Sequence, residues 1–471
     1  MLDSLSLLPN NLRDLAKSFE VETQKGNFPY DFVNENNLDY IGSLPHYEYY
    51  IFNKDYSFNN YLKELTNSKW CLRSEIFKYL ENDLKSLYEI LNSFNKMVHD
   101  EFSLNITNKI SISSLALNIF TSNFMKHNNI KVIKGKDHKD IRNAYYGGRV
   151  DVFKPEGDNL YYYDVNSLYP YSILNDMPVG NPVYTTNTNL KDLFGFVYAD
   201  IKTPDDLFNP VLPYRTEDGL LINSLGSWSG WYFTEELKQV EKFGYTINVK
   251  YGYTFERGKD VFTEYVSLCY LHKKISKDAL KSMYKLLLNS LYERIGMNEI
   301  HDRTIVLNDN ELNDYLTKYH VKSIFNIQDN KNLINYDTRP DEILFNLTEN
   351  NYDESLIKFN IEKIYINQSI SIAAAIISYS RMYMNELMHL KDYEVYYSDT
   401  DSIVLDKPLP KEMISNEIGK LKLEYKVKKD LFIAPKLYLL LTDNDKIIIK
   451  GRSIGLEELN FLDSISLNLL F

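Results

Sequence analysis

The spacing of apolar positions changes several times along the chain, and each change marks an element. Leu5, Leu8, Leu12 and Leu15 recur at helical intervals, with Pro9-Asn10-Asn11 as break and cap. A second amphipathic pattern runs from Tyr79 to Phe94 through Leu80, Leu84, Leu87, Ile90 and Leu91, with Asp83 as a solvated acid on its polar side. Lys131 to Arg142 reads as a basic, turn-rich connector, the first local patch able to meet phosphates. Tyr161 to Val165 is a run of strand formers, broken by Asn166-Ser167. Residues 176 to about 265 alternate short strands and turns around Pro178, Pro182, Pro204, Pro210 and Pro213, as an insertion would. The aromatic-glycine cluster Gly226 to Tyr232 within them can contact bases or simply pack a turn.

His272 to Gly296 predicts one long helix. Leu280, Met283, Tyr284, Leu287 and Leu291 share one face; Lys277, Lys281, Lys285, Asn289 and Tyr292 share the other. Residues 298 to about 360 are acidic, Asn-rich and loop-heavy. Ile361 to His389 predicts a strand and then a buried helix rich in small residues. Tyr393 to Tyr396 and Ile403 to Leu405 predict two strands around the turn Tyr397-Ser398-Asp399-Thr400-Asp401-Ser402. Gly419 to Leu440 predicts a basic strand pair, with Lys436 and Tyr438 on one side.

Composition sharpens this picture in three places. The chain has 471 residues, 44% hydrophobic and 25% charged, enough for two or three domains with real cores. Its net charge of −12 means that any nucleic-acid contact depends on local basic patches. The 39 tyrosines against 18 glycines and 14 prolines, with much Asn, Ile and Lys, fit an A+T-rich coding sequence of the organellar or plasmid kind. Two cysteines, Cys71 and Cys269, form no CxxC pair, which points away from zinc clusters and disulfide frameworks. No apolar run approaches the ~18 residues of a membrane span. Acids at Asp3 and Asp14 differ from a signal or transit peptide.

The candidate chemistry centres on the turn. Strand alternation points Asp399 and Asp401 to one side, and oxygen-only ligands there suit Mg²⁺ or Mn²⁺. Taken alone, the hexapeptide fits an ordinary hairpin turn better, since Asp and Thr are common turn residues. Asp164 supplies a third carboxylate at the end of a buried strand, where a charge requires a partner or a metal. The Lys-Asn-Tyr face fits a helix lying across a nucleotide's phosphates and base. Asp164, that helix, the Asp-Thr-Asp turn and the Lys-x-Tyr strand are together explained by chemistry that uses two divalent ions and a triphosphate.

At these residues the chain resembles family B DNA polymerases, in the protein-primed branch of phages, adenoviruses and organellar linear plasmids. DVNSLYP (Asp164 to Pro170) and YSDTDS (Tyr397 to Ser402) resemble its two palm motifs, KLLLNSLY (Lys285 to Tyr292) its fingers motif, APKLY (Ala434 to Tyr438) its primer motif, and YYGG (Tyr145 to Gly148) its linker motif. The resemblance implies an α+β right-hand polymerase fold with palm, fingers and a reduced thumb, preceded by a partial ribonuclease H-like 3′–5′ exonuclease domain. It divides the chain into an exonuclease-like part (1–143), palm (144–175), an insertion akin to the terminal-protein region (176–265), fingers (266–297), a second insertion (298–360), palm (361–450) and a thumb remnant (451–471). It implies DNA-directed DNA synthesis from dNTPs onto a primer 3′-hydroxyl or a terminal-protein hydroxyl.

The same resemblance distributes roles. Asp164, Asp399 and Asp401 are the catalytic acids; Asp164, Asp401 and the Val165 carbonyl hold two Mg²⁺ or Mn²⁺ ions. Val165, Ser167, Leu168, Tyr169, Lys285, Asn289 and Tyr292 bind the nucleotide, with Tyr169 excluding a 2′-hydroxyl. Tyr145, Gly147, Gly148, Arg149, Ser290, Thr400, Ser402, Lys436 and Tyr438 contact DNA or primer. Lys25, Tyr79 and Asp83 match the end of the exonuclease motifs; the upstream carboxylate motifs have no counterpart, so proofreading is expected to be absent. Glu293 stands where the fingers motif normally carries Gly, and a carboxylate there is expected to repel phosphates. With the shortened thumb, it leaves the alternative of an impaired remnant that binds DNA and nucleotide without efficient synthesis. The expected partners are primer-template DNA, dNTPs and a terminal priming protein, without a membrane. The expected setting is a mitochondrion, with the chain made inside the organelle, or else a cytoplasmic plasmid or a virus.

Overall fold

The computed structural model describes residues 4–50, 58, 61, 69–107, 109, 111–125, 130–297, 302–318, 320–328, 330–337 and 368–451. The start of the Ile361 to His389 stretch, where a strand is expected, the end of the second insertion and all of the expected thumb remnant beyond Gly451 lie outside them.

The N-terminal part is helical. A 3-10 turn at Ser4–Ser6 precedes α1 (Leu12–Ser18), and Asn11 caps α1 by accepting the Asp14 backbone N–H at 2.9 Å, at the expected break. The short strands β1 (Ile41–Gly42) and β2 (Trp70–Cys71) pair ahead of α2 (Leu72–Phe102), which is twice as long as its apolar pattern suggested. Its buried face is Ile90, Phe94, Val98 and Phe102; Leu80 and Leu84 point to solvent. α3 (Ile112–Ile119) follows, and then α4 (Gly135–Asn143), a regular helix where a turn-rich connector was expected. α4 is mostly charged and buries Ile141 alone, so hydrophobic periodicity is nearly silent there.

The central sheet is built from both ends of the rest of the chain. β3 (Val150–Val152) and β4 (Glu156–Val165) come early; β14 (Val395–Asp399), β15 (Ser402–Leu405), β16 (Leu421–Ala434), β17 (Leu437–Thr442) and β18 (Ile447–Lys450) come 230 or more residues later. Their order is β18-β17-β16-β4-β15-β14-β3, antiparallel throughout. Alternation along β4 sends Tyr163 and Val165 into one core, with Met384, Leu387 and Met388 of a long helix, Ile370–Met388. Leu160 and Tyr162 enter the other, with Tyr397, Phe432 and Tyr438.

Between the two halves lie α5 (Leu168–Ser172) and an inserted sheet of β5 (Met177–Thr185), β6 (Gly195–Lys202), β9 (Ser227–Phe233) and β10 (Thr246–Gly258), in the order β5-β10-β6-β9. The pair β7 (Pro213–Arg215) and β8 (Leu221–Asn223) and helix α6 (Thr234–Val240) complete it. The expected single helix over 272–296 is two: α7 (Thr263–Ile275) and α8 (Asp278–Ile295). The break falls at Ser276-Lys277, both extended, so Lys277 precedes α8 rather than extending its lysine face.

The stretch expected to be loop-heavy instead contains β11 (Asp302–Leu307), α9 (Asp309–Lys318), β12 (His320–Gln328) and β13 (Lys331–Asp337), paired as β11-β13-β12 around buried Leu307, Ile334 and Tyr336. α10 is the Ile370–Met388 helix, buried along most of its length as its small residues predict.

Candidate active site

β4 is the only strand of the sheet that pairs with both β15 and β16, and this places the acids. Ser402 stands opposite Asp164 on one side and Lys422 on the other. The Val165 N–H donates to the Asp401 carbonyl at 2.8 Å, fastening the strand end to the turn. Thr400, at φ +59°, makes the turn tight, and its N–H donates to the Arg149 carbonyl at 2.8 Å. Gly148 packs against this turn so closely that a Cβ there would sit 2.9 Å from the Thr400 methyl.

The three carboxylates have different surroundings. Asp399 is 7% exposed and ion-paired with Lys436 Nζ at 2.8 Å; the Thr400 hydroxyl donates to it at 3.1 Å. Asp164 and Asp401 form no ion pair among the described residues and instead repel each other. Burial first, then the Asp401 charge, pushes the Asp164 carboxyl up to about 7. Burial, with a further contribution from Asp399, also raises Asp401. The three acids thus differ in their partners, while the Asp399 charge still acts on Asp401. Asp401 sits in the turn itself and meets Asp164, whereas Asp399 ends β14 and is held by Lys436.

This donor set fits a divalent cation: two oxygen-only groups, mutually repelling, partly desolvated and, among the described residues, in no ion pair. Among the described residues no three His, Cys, Asp or Glu side chains converge on one metal position. Two carboxylates with the remaining ligands from phosphates and water is the usual arrangement for Mg²⁺.

A lysine group gathers beside the segment that follows Asp164. Ser167, at φ +56° and ψ 58°, turns the chain into α5, and its hydroxyl accepts from Lys273 Nζ at 3.1 Å. Burial, then repulsion from Lys285 and Lys281, holds the Lys273 ammonium below the ordinary lysine range. Lys285 and Asn289 are exposed on α8. The Tyr292 ring lies 4.3 Å from that of Tyr169, whose hydroxyl is pushed up to about 12 by burial and then by Asp401. Leu168 is buried beneath them. Lys273 escaped the sequence reading, although it lies in register with the lysine row, one turn before Lys277. Lys450 escaped as well: only the pairing of Lys450 with Tyr438 brings its ammonium to 5.8 Å from that ring, where its charge also acts on Asp164 and Asp401.

Several expected DNA contacts are turned inward. Arg149 spends its guanidinium on Asp151 at 2.9 Å and the Pro210 carbonyl at 2.7 Å, so it is not free for a phosphate. Ser290 shares the buried face of α8 with Leu287 and Leu291. Ser402 is buried, bonding Tyr162 at 3.0 Å and donating to the Asp399 carbonyl at 3.2 Å. Tyr438 continues that network through the Tyr162 hydroxyl at 3.3 Å. Gly147 remains exposed, and Tyr145 lies under the Arg142 guanidinium, 5.0 Å from its ring centre. Lys436, in the turn between β16 and β17 at φ +64°, is placed by its N–H bond to the Tyr397 hydroxyl at 3.0 Å.

Behind the loop, Arg381 of α10 forms a two-pronged pair with Glu236 of α6 at 2.7 and 2.6 Å. It also donates to the Tyr146 carbonyl at 2.8 Å. This buried group, not identified from the sequence, joins the inserted sheet, the central sheet and the Tyr145–Gly148 loop. Farther away, Lys25 lies 3.4 Å from Asp83 and 5.6 Å from the Tyr79 ring, so Asp83 is half-buried and paired, not a solvated acid. Glu293 is exposed and accepts from the Ser113 hydroxyl at 3.4 Å.

The fold is that of a known polymerase. A solved structure of phi29 DNA polymerase complexed with primer-template DNA and incoming nucleotide substrates superposes with a TM-score of 0.66 at 18% identity, covering 96% of this chain and 72% of that one. The family described as "DNA polymerase type B, organellar and viral" matches residues 1–392, and the chain belongs to it. Probable DNA polymerases of Podospora anserina and Ascobolus immersus are each 38% identical over 95% and 93% of this chain. The chain spans only 38% and 36% of the lengths of those two proteins.

Proposed function

We propose that the chain catalyses DNA-directed DNA synthesis, joining a dNTP to a primer 3′-hydroxyl or a terminal-protein hydroxyl. The observation that carries this reading is the meeting of Asp164 and Asp401, without an ion pair and mutually repelling, at the end of a segment whose Ser167 is held by Lys273, itself beside Lys281 and Lys285. Asp164 and Asp401 would hold the divalent ions, Mg²⁺ or Mn²⁺, with the Val165 carbonyl as a further ligand. Bound there, the ions supply activation of the attacking oxygen and stabilisation of the leaving one.

The chain's own residues do the rest. The three lysines neutralise and orient the triphosphate. Tyr169 and Tyr292 form the floor under sugar and base. Lys436 pairs with Asp399 at 2.8 Å, next to the place where the primer end would lie. The family's organellar and viral membership, with the A+T-rich coding bias, supports replication of a plasmid-like DNA in a mitochondrion. No helix among the described residues is long and apolar enough to cross a membrane.

The test is primer extension with Mg²⁺ or Mn²⁺ and dNTPs. Extension is expected for the parent chain and should vanish for Asp401→Asn. Extension that survives this change removes the assignment, and a parent chain that binds primer-template without extending it replaces synthesis with binding.

A further inference from the structure

The inserted sheet carries a row of aromatic rings on one face. Register sets Tyr251, Tyr198 and Trp231 side by side on β10, β6 and β9, and Tyr184 beside Tyr253 on β5 and β10. Tyr198 and Tyr251 stack with centres 5.4 Å apart and planes 19° apart; Trp231 stacks on Tyr253 at 5.6 Å. Tyr184 lies 5.9 Å from Tyr253 and 6.3 Å from Tyr251. Trp231 and Tyr253 are buried, Tyr198 and Tyr251 half-buried, and Tyr184 is 58% exposed. The buried pair is a rigid floor, and the three outer rings present surface to solvent.

The row ends at a basic helix. The Tyr253 hydroxyl donates to Asp140 of α4 at 2.8 Å. α4 and the segment before it carry Lys131, Lys134, Lys136 and Lys139; the last three are exposed, and none of the four has an ion-pair partner among the described residues. The two acids of α4 lie at the Tyr253 hydroxyl, Asp140 as its acceptor and Asp137 beside it, and the four lysines outnumber them. In a chain of net charge −12, this is a local reversal of sign next to exposed rings.

Aromatic faces stack on any base, and lysines neutralise phosphates whatever the sequence. A duplex keeps its base faces covered, so it could use the lysines but not the rings. We propose that the Tyr184-Tyr198-Tyr251 face, with the lysines of α4, binds a single strand of nucleic acid at a site separate from the carboxylates. α4 runs directly into the Tyr145–Gly148 loop, so a strand held here lies along the segment that leads to the catalytic turn.

The probe is fluorescein-labelled dT12 bound to the full chain without metal or dNTPs, so the result does not depend on the proposed synthesis. Tyr184→Ala with Tyr251→Ala is expected to weaken binding roughly tenfold or more. Lys134→Gln, Lys136→Gln and Lys139→Gln together are expected to lower the salt slope of log affinity by about 2. Iodouracil-containing dT12 is expected to crosslink within residues 178–185 or 246–258. Tyr184→Ala alone, at an exposed ring, guards against a folding defect. Unchanged affinity and salt slope, or crosslinks confined to 160–175 and 393–440, overturn the proposal, and a surface that retains only a protein partner does so equally.

Discussion

Lys436 Nζ lies 2.8 Å from Asp399 Oδ1, so one of the three acids at the turn is neutralised from within the chain while Asp164 and Asp401 are not. Their substitutions should therefore differ in effect. Asp164→Asn and Asp401→Asn are expected to abolish primer extension. Lys436→Ala acts through Asp399 and the primer end and should cost about 10- to 100-fold, the usual effect of removing a group that supports a ligand shell. Single-turnover extension measures this directly; equal losses for Lys436→Ala and Asp401→Asn would erase the distinction.

The Arg381–Glu236 pair should be expensive to break. Arg381 is 3% exposed and Glu236 is fully buried. Removing one partner leaves a desolvated charge, worth about 3–5 kcal/mol. Glu236→Gln is expected to lower the denaturation midpoint substantially in a urea titration. Because Arg381 also holds the Tyr146 carbonyl, extension by the folded fraction should fall too.

Asp430 predicts a pH dependence unrelated to the catalytic acids. It lies buried on β16, and neither carboxylate oxygen has a hydrogen-bond partner. Burial first, with repulsion from Asp158, pushes it up to about 7, against about 3.9 in an unfolded chain. The folded state therefore holds a proton that the unfolded state releases between about pH 4 and 7. Stability should fall as pH rises through that window. Asp430→Asn should flatten this slope and raise stability above pH 7 by up to about 4 kcal/mol, about 1.4 kcal/mol for each of the roughly 3 pH units between the two values. Melting curves at pH 5, 6, 7 and 8 provide the check.

Tyr169 packs 4.3 Å from Tyr292, which fixes its ring beneath the position proposed for the sugar. Tyr169→Val should relax discrimination against a 2′-hydroxyl by on the order of 10²-fold, the scale at which one steric or hydroxyl difference is read. Competing rNTP and dNTP incorporation measures it; an unchanged ratio would move the sugar elsewhere.

The motif-bearing elements were legible in the sequence because strand period and turn chemistry agree there. β4 ends at Val165, one residue past Asp164, the hairpin turns at Thr400, and α10 is buried through its alanines, as expected. What the sequence did not show follows from physics that acts at a distance. α4 has almost no buried face to reveal it. Leu80 and Leu84 fit a helix but not the side that packs. The break before Asp278 is invisible in a continuous lysine row. Ser290, Ser402 and Arg149 occupy motif positions, yet their partners come from elements remote in sequence. Lys273, Arg381 and Lys450 gain meaning only from such long-range contacts.

β4 is flanked by β15 and β16, each made more than two hundred residues after it. A ribosome thus extrudes the tyrosine-rich centre of the sheet long before either neighbour exists. Until residue 405 or so has emerged, both backbone edges of that strand stay unsatisfied, and one stays so until about residue 431, the condition that invites mispairing in a nascent chain. Slow, sequence-distant closure of this kind makes production of the protein sensitive to temperature and to chaperones, however sound the finished molecule is.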